Sequence, residues 1–391
     1  MNELALLRVD HIGSLVRPAG LKAVLAKYDH GRVLAEELRK VQDEAVRDVI
    51  GKQEAHGMPV VNDGEFRRHN FQESFSACVE GYDVPQQPYR YYDGSQINKN
   101  PLERAEQDFD AAGPAILTRR KVVNRLRLVR NVTLEEFQFN RGVAAKPVKV
   151  TLLSPDRIAQ RFKWEESKAV YKGLDDFVDD VVAIERRMIS ELVEAGCRYI
   201  QIDAPGYTAY VDRISLERMR SRGEDPEKNM ERSIKADNAV IKGFPDVIFG
   251  IHLCRGNART IDPKTGKLVA QWHREGHYDA IAERLFGNLK HQRILLEYDS
   301  DRAGSFEPIR FVPKDKVVVL GLVTTKSPDI ESSDELKRRI EEASRYLPVD
   351  QLAISPQCGF GSEGLSGSFL SEEVQWAKLD RIVETASRIW N

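Results

Sequence analysis

The stretch DVIFGIHLC, residues 246–254, decides the reading of the fold. A short apolar run rich in β-branched and aromatic residues, ending in polar groups, has the pattern of a parallel strand buried on both faces. Strand side chains alternate between faces, so His252 and Cys254 point the same way and can grip a single object. That object could be a metal ion. The plainer alternative is an accidental pairing, because free cysteine commonly serves as a small buried side chain.

Similar apolar runs recur on either side of it: VDHIGSL from 9, MPVVNDGE from 58, KPVKVTLLSP from 146, RYIQIDAP from 198, RILLEYDS from 293, KVVVLGLV from 316 and QLAISPQCG from 351. Between them lie amphipathic helical patterns such as LDDFVDDVVAIERRMISELVEAG and SSDELKRRIEEASRYL. Alternating strands and helices predict an α/β fold, and eight strands fit a (β/α)8 TIM barrel better than an open sheet. Residues 1–391 read as one catalytic domain.

Two stretches interrupt this rhythm. Residues 72–145, an insertion after strand 2, begin rich in Tyr, Pro, Gln and Asn and then turn basic (LTRRKVVNRLRLVRNV); they are too long for a plain barrel loop and read as an excursion over the barrel mouth, with a small hairpin or two helices. A longer loop after strand 5 separates Cys254 from strand 6. Within it WHREGH spaces His273 and His277 as on a helix, but Gly276 interrupts the helix and the order differs from the H-E-x-x-H metal motif, so the segment reads as a loop or lid.

Lys and Arg number 59 against 61 Asp and Glu, a formal charge of -2, so no single-sign field marks a nucleic-acid or membrane-surface protein. A small-molecule partner is the expectation, with the oligomeric state open. The N-terminus lacks a basic leader and a long apolar core, and no stretch reaches the length of a membrane span, which predicts a cytoplasmic protein. Cysteines at 78, 197, 254 and 358 are too few and too dispersed for a disulfide framework. Cys78 and Cys197 sit in helical or pre-strand contexts and read as packing.

Reactive groups of such a barrel gather at the C-terminal ends of its strands. Those ends are unusually polar here: Asp10-His11-Ile12-Gly13-Ser14, Asn62-Asp63-Gly64-Glu65, Gln201-Ile202-Asp203, His252-Leu253-Cys254, Glu297-Tyr298-Asp299, Thr324-Thr325-Lys326 and Pro356-Gln357-Cys358-Gly359. Zinc takes four N, S or O ligands in a tetrahedron and favours thiolate with imidazole. His252 and Cys254 supply two, Cys358 a third, and Glu297, on the neighbouring strand, is the nearest candidate for the fourth.

In this order the motifs DHIGSL, DGE, YIQIDAP, IHLC, LLEYDSDR, LGLVTTKSP and SPQCGF resemble the catalytic C-terminal barrel of cobalamin-independent methionine synthase and its short single-barrel relatives, over residues 9–365. The resemblance implies a zinc enzyme that binds the thiol of homocysteine through His252, Cys254, Glu297 and Cys358, the same four that the strand ends offer. It implies that Ile12, Gly13 and Ser14 hold the amino acid's carboxylate, and that Glu65 and Asp203 take its ammonium group. The bland alternatives are a helix cap for Ser14 and structural ion pairs for the two acids.

Three departures touch the methyl donor. The family's folate-dependent members carry a separate N-terminal half that this chain lacks; their H-S-P motif is Lys326-Ser327-Pro328 here; and their Q-I-D-E-P is Gln201-Ile202-Asp203-Ala204-Pro205. The acceptor half of the reaction carries over better than the donor half. The expected activity is zinc-dependent methylation of homocysteine to methionine, from 5-methyltetrahydrofolate or a methyl-corrinoid, with Lys326 contacting the donor or an anion beside it. The alternative is a zinc-dependent epoxyalkane:coenzyme M transferase-like reaction, for which Arg17, Arg67 and Arg68 could hold a sulfonate or equally form ion pairs. A carboxy-lyase of the uroporphyrinogen decarboxylase type fits the H-x-C and late Cys poorly, and a purely structural zinc site leaves Ser14, Glu65 and Asp203 at the same mouth unexplained.

Overall fold

The computed structural model describes residues 3–84, 89–91, 115–117, 120–221, 223–255, 259–261, 268–270, 276–361 and 370–390. Its centre is a six-stranded sheet formed, in spatial and chain order, by Lys149–Leu153, Tyr199–Asp203, Ile248–Leu253, Arg293–Glu297, Val317–Val323 and Leu352–Pro356. All neighbours are parallel, and every residue of these strands is buried, as expected of strands covered on both faces.

The first two expected strands are reduced to single bridges: Val9 pairs in parallel with Ile354 at one edge of the sheet and Val61 with Val148 at the other. Their backbone N–H groups turn to side chains just where a ladder would continue. Asp10 accepts from the His11 N–H (2.9 Å), Gln53 from Asn62 (3.1 Å), Asn62 from Gly64 (2.9 Å) and Asp63 from Glu65 (2.9 Å). Between the two bridged segments no ladder is formed among the described residues, and the link runs through Leu15 N–H to Gly64 O (3.1 Å) and His11 Nε2 to Val60 O (3.1 Å). The fold is therefore α/β and TIM-barrel-like, with a parallel sheet that no ladder closes.

Alternation along the strands separates two apolar clusters. Ile294, Leu296, Val318 and Leu320 join the large core under the helices, whereas Leu295, Val317, Val319 and Ala353 pack with Ile12 in a small inner cluster. The outer cover includes the helix Leu174–Glu194, which buries Phe177, Val181, Ile184, Met188 and Leu192 at helical spacing. Ser332 caps Ser333–Ala343 by accepting from the Glu335 N–H (3.1 Å), and Asp225 caps Pro226–Ile241, where proline at the first turn forfeits no helical bond.

Part of the 72–145 excursion lies outside the described residues. The remainder holds two antiparallel pairs, Val79–Tyr82 with Val122–Leu128 and Tyr89–Tyr91 with Ala115–Leu117, followed by the helix Val132–Val143. The first pair leans on the outer helix: Arg125 reaches Asp176 and Asp180 (both 2.9 Å), and the Leu126 N–H donates to the Tyr171 hydroxyl (2.8 Å). Of the loop after Cys254, Arg259–Ile261 and Leu268–Ala270 form an antiparallel pair, while His273 lies outside the described residues. Among the described residues no helix is long and apolar enough to cross a membrane.

Candidate metal centre

One face of each central strand delivers the site. In Arg293–Glu297 the inward residues are Arg293, Leu295 and Glu297; in Tyr199–Asp203 they are Tyr199, Gln201 and Asp203. The register sets Asp203 opposite His252, so both stand at the C-terminal ends of neighbouring strands.

His252, Cys254, Glu297 and Cys358 come together there, each offering one ligand atom within 4.8 Å of all the others. The sulfurs of Cys254 and Cys358 are 3.7 Å apart. With metal–sulfur bonds of about 2.3 Å, two thiolates on a tetrahedral ion stand about 3.8 Å from one another. Both ring nitrogens of His252 are buried and lack a partner of good hydrogen-bond geometry among the described residues, with Cys254 the polar side chain beside the ring. Burial pulls the His252 pKa down, but Cys254, Asp203 and Glu297 around it prevail and hold it above the ordinary value. The Cys358 thiol is held well above its ordinary value by Cys254 beside it, by burial and by Glu297. Crowded groups that resist becoming anions together are the setting a cation relieves, and this donor set suits zinc.

Glu297 is braced by its neighbours. Its Oε1 accepts from the Arg255 N–H (2.7 Å) and its Oε2 from Arg302 (2.9 Å), while Lys326 Nζ stands 4.0 Å from Oε2 and 3.2 Å from Asp299 Oδ2. Burial and Cys254 push the Glu297 carboxyl up to about 8, against the pull of Lys326, Arg302 and His252. Arg302 and Arg255 were not singled out in the sequence; LLEYDSDR held the signal for the first, since an arginine shortly after a buried acid can fold back upon it.

Beside the cluster lie the other expected site residues. Gly13 fits so tightly that a Cβ would sit 3.0 Å from Thr151 Cγ2 and 3.1 Å from Glu65 Oε1. Ser14 meets the segment that follows Cys358, and a Cβ at Gly359 would lie 2.0 Å from its hydroxyl oxygen. Ile12 turns its side chain into the inner cluster, and its carbonyl accepts from Gln201 (2.6 Å). Glu65 has φ 60°, the one left-handed non-glycine backbone among the described residues, and its Oε1 accepts from the Thr151 hydroxyl (2.9 Å). A buried acid held in an unfavourable backbone state costs stability that the contacts around it must offset. Asp203 accepts from Gln201 (2.7 Å) and is pushed up to about 7, by burial first and then by Glu65 and Cys254, against His252 and Gln201.

The three arginines weighed as sulfonate holders are engaged with the protein itself. Arg67 pairs with Asp43 (2.5 Å), Arg68 with Glu136 (2.6 Å), and Arg17 donates to the carbonyls of Glu65 and Arg68 (both 2.8 Å). Cys78 and Cys197 are buried in the large apolar core and are not among the four residues of the cluster.

Comparison with known proteins gives a consistent result. The family model for the cobalamin-independent synthase catalytic domain matches residues 8–255 and 290–378. YxjH of Bacillus subtilis, an uncharacterized protein, is 33% identical over 386 residues, covering 98% of this chain and 94% of its own. A methionine synthase of Saccharolobus solfataricus is 25% identical, covering 98% of this chain and 95% of its own. Among solved structures, a Listeria monocytogenes protein described as a candidate vitamin-B12 independent methionine synthase superposes with a TM-score of 0.71 at 26% identity, over 98% of both chains.

Proposed function

The chain belongs to the cobalamin-independent methionine synthase family by its catalytic domain, and on that premise we propose that it is a zinc-dependent methyltransferase converting homocysteine to methionine. We read its fold as a single (β/α)8 domain, residues 1–391, whose first two staves are the bridged segments at Val9 and Val61, and its setting as the cytoplasm. The observation that carries the proposal is the convergence of His252, Cys254, Glu297 and Cys358 on one small volume at the strand ends.

These four residues would hold the zinc ion. When bound there, zinc lowers the pKa of a coordinated substrate thiol so that it stays thiolate, the nucleophilic form, at neutral pH. The chain's own residues do the rest. The backbone of Ile12 and Gly13 and the Ser14 hydroxyl receive the carboxylate of homocysteine. Glu65 and Asp203 receive its ammonium group, whose positive charge offsets the crowding that lifts the Asp203 carboxyl. Recognition at the α-carbon thereby aims the thiol and fixes its approach to the donor's methyl carbon. Lys326, tethered to Asp299, contacts the donor or an anion beside it.

The test is methionine formation by the purified zinc protein from homocysteine, with methyltetrahydrofolate and methylcobalamin supplied in parallel, and coenzyme M with a small epoxide as the competing pair. Methionine from either donor, lost on zinc removal, is the expected outcome. Turnover of the coenzyme M pair alone would replace this reading.

A further inference from the structure

Lys149 lies in the first strand of the central sheet and is fully buried, yet its ammonium is far from idle. It donates to Asp10 Oδ1 (2.8 Å), to the His11 carbonyl and to Gln201 Oε1 (3.0 Å). Asp10 is in turn held by Arg293 (3.1 Å) and by the Tyr199 hydroxyl (2.5 Å), so the cation sits in a fixed polar frame inside the sheet.

An ammonium group can only donate, and it therefore forces the amide of Gln201 to present its oxygen. The amide nitrogen must then face the other way, where it donates to the Ile12 carbonyl (2.6 Å) and to Asp203 Oδ1 (2.7 Å). A flipped amide would set N–H against N–H on one side and oxygen against two acceptors on the other. Because the Ile12–Gly13 peptide is trans, pinning the Ile12 oxygen inward aims the Gly13 N–H in the opposite direction. One cation thus dictates both the orientation of Asp203 and the direction of the Gly13 N–H.

We infer that Lys149, acting through Gln201, is a positioning residue that locks the Gly13 N–H and Asp203 into the spacing that recognises a free α-amino acid, and so sets the enzyme's preference for a thiol bearing both a carboxylate and an ammonium group. This rests on the homocysteine reading above and adds to it two residues that touch neither the metal ligands nor the substrate.

The experiment is calorimetry on zinc-loaded protein with homocysteine and with 3-mercaptopropan-1-ol, which keeps the thiol and lacks both charged groups. Lys149→Met and Gln201→Glu are the variants; the second leaves Lys149 an oxygen to donate to while removing the N–H pair, so it remains informative if loss of the buried ammonium unfolds the chain. Each variant should lose about tenfold or more in homocysteine affinity, with zinc content and affinity for 3-mercaptopropan-1-ol within about twofold of the wild type. Unchanged homocysteine affinity in a folded variant, or equal losses for both thiols, would overturn the positioning role alone. A wild type that does not prefer homocysteine would overturn the substrate reading and the inference together.

Discussion

The sulfurs of Cys254 and Cys358 stand 3.7 Å apart although 104 positions separate them in the chain. That gap is nearly twice a disulfide bond of about 2.05 Å and matches two thiolates sharing one ion. Only the sheet brings them there: the strand Ile248–Leu253 ends at the first, and the strand Leu352–Pro356 ends just before the second.

Arg302 holds Glu297 Oε2 at 2.9 Å in a fully buried ion pair. Replacing it by methionine should leave Oε2 without its charged partner while Oε1 keeps the Arg255 N–H, and zinc should be surrendered to a chelator about 10- to 100-fold more readily. Chelator competition followed by metal analysis measures this. Wild-type retention in Arg302→Met would show that the pair serves folding alone.

Glu65→Gln removes one of the two acids read as ammonium acceptors while keeping the side chain's shape. Binding of homocysteine should weaken by about 2 kcal/mol or more, and binding of a thiol without an amino group should hardly change. Calorimetry separates the two. Equal weakening of both would return Glu65 to a purely structural pairing with Thr151 and Arg68.

Lys326→Ala should leave homocysteine binding intact and lower methyl transfer, by roughly 10²-fold if the ammonium assists the leaving group. Steady-state kinetics with each donor in turn reads the effect. Unchanged kcat/KM for every donor would remove Lys326 from the chemistry and leave it as the partner of Asp299.

Much of the site was legible because its signals are local. An H-x-C pair on one strand face needs only the two-residue period, and the six central strands were marked by their apolar runs. The first two expected strands fall short of ladders: VDHIGSL and MPVVNDGE carry a larger share of Asp, Asn, Gly and Pro than the other runs, and Asp10, Asn62 and Asp63 divert backbone N–H groups that a ladder requires. The framework around Lys149 could not be read at all. A lysine inside KPVKVTLL looks like an interruption of a strand, and only the fold reveals Asp10, Gln201 and Arg293 waiting around it.

Glu185 was equally invisible, being an acid on the inner side of the helix Leu174–Glu194. It is fully buried, one carboxyl oxygen has no partner among the described residues, and burial together with Asp237 holds its pKa well above the ordinary value. The unfolded chain releases this proton at an ordinary carboxyl pKa while the folded chain retains it, so ionisation costs stability that grows as pH rises from the unfolded pKa toward the folded one. Glu185→Gln should therefore match the wild type at pH values below the ordinary carboxyl pKa and become progressively the more stable of the two as pH rises above it. Denaturant melts across that range test it, and a gain independent of pH would point to packing instead.

The shared ion itself is tested most directly by X-ray absorption at the zinc edge on the purified protein, alongside metal analysis of Cys358→Ser. The expected spectrum has two sulfur neighbours at about 2.3 Å and two nitrogen or oxygen neighbours at about 2.0 Å, with zinc lost from the folded variant. Zinc surrounded by oxygen and nitrogen alone, or full zinc content in Cys358→Ser, would contradict a site built from His252, Cys254, Glu297 and Cys358.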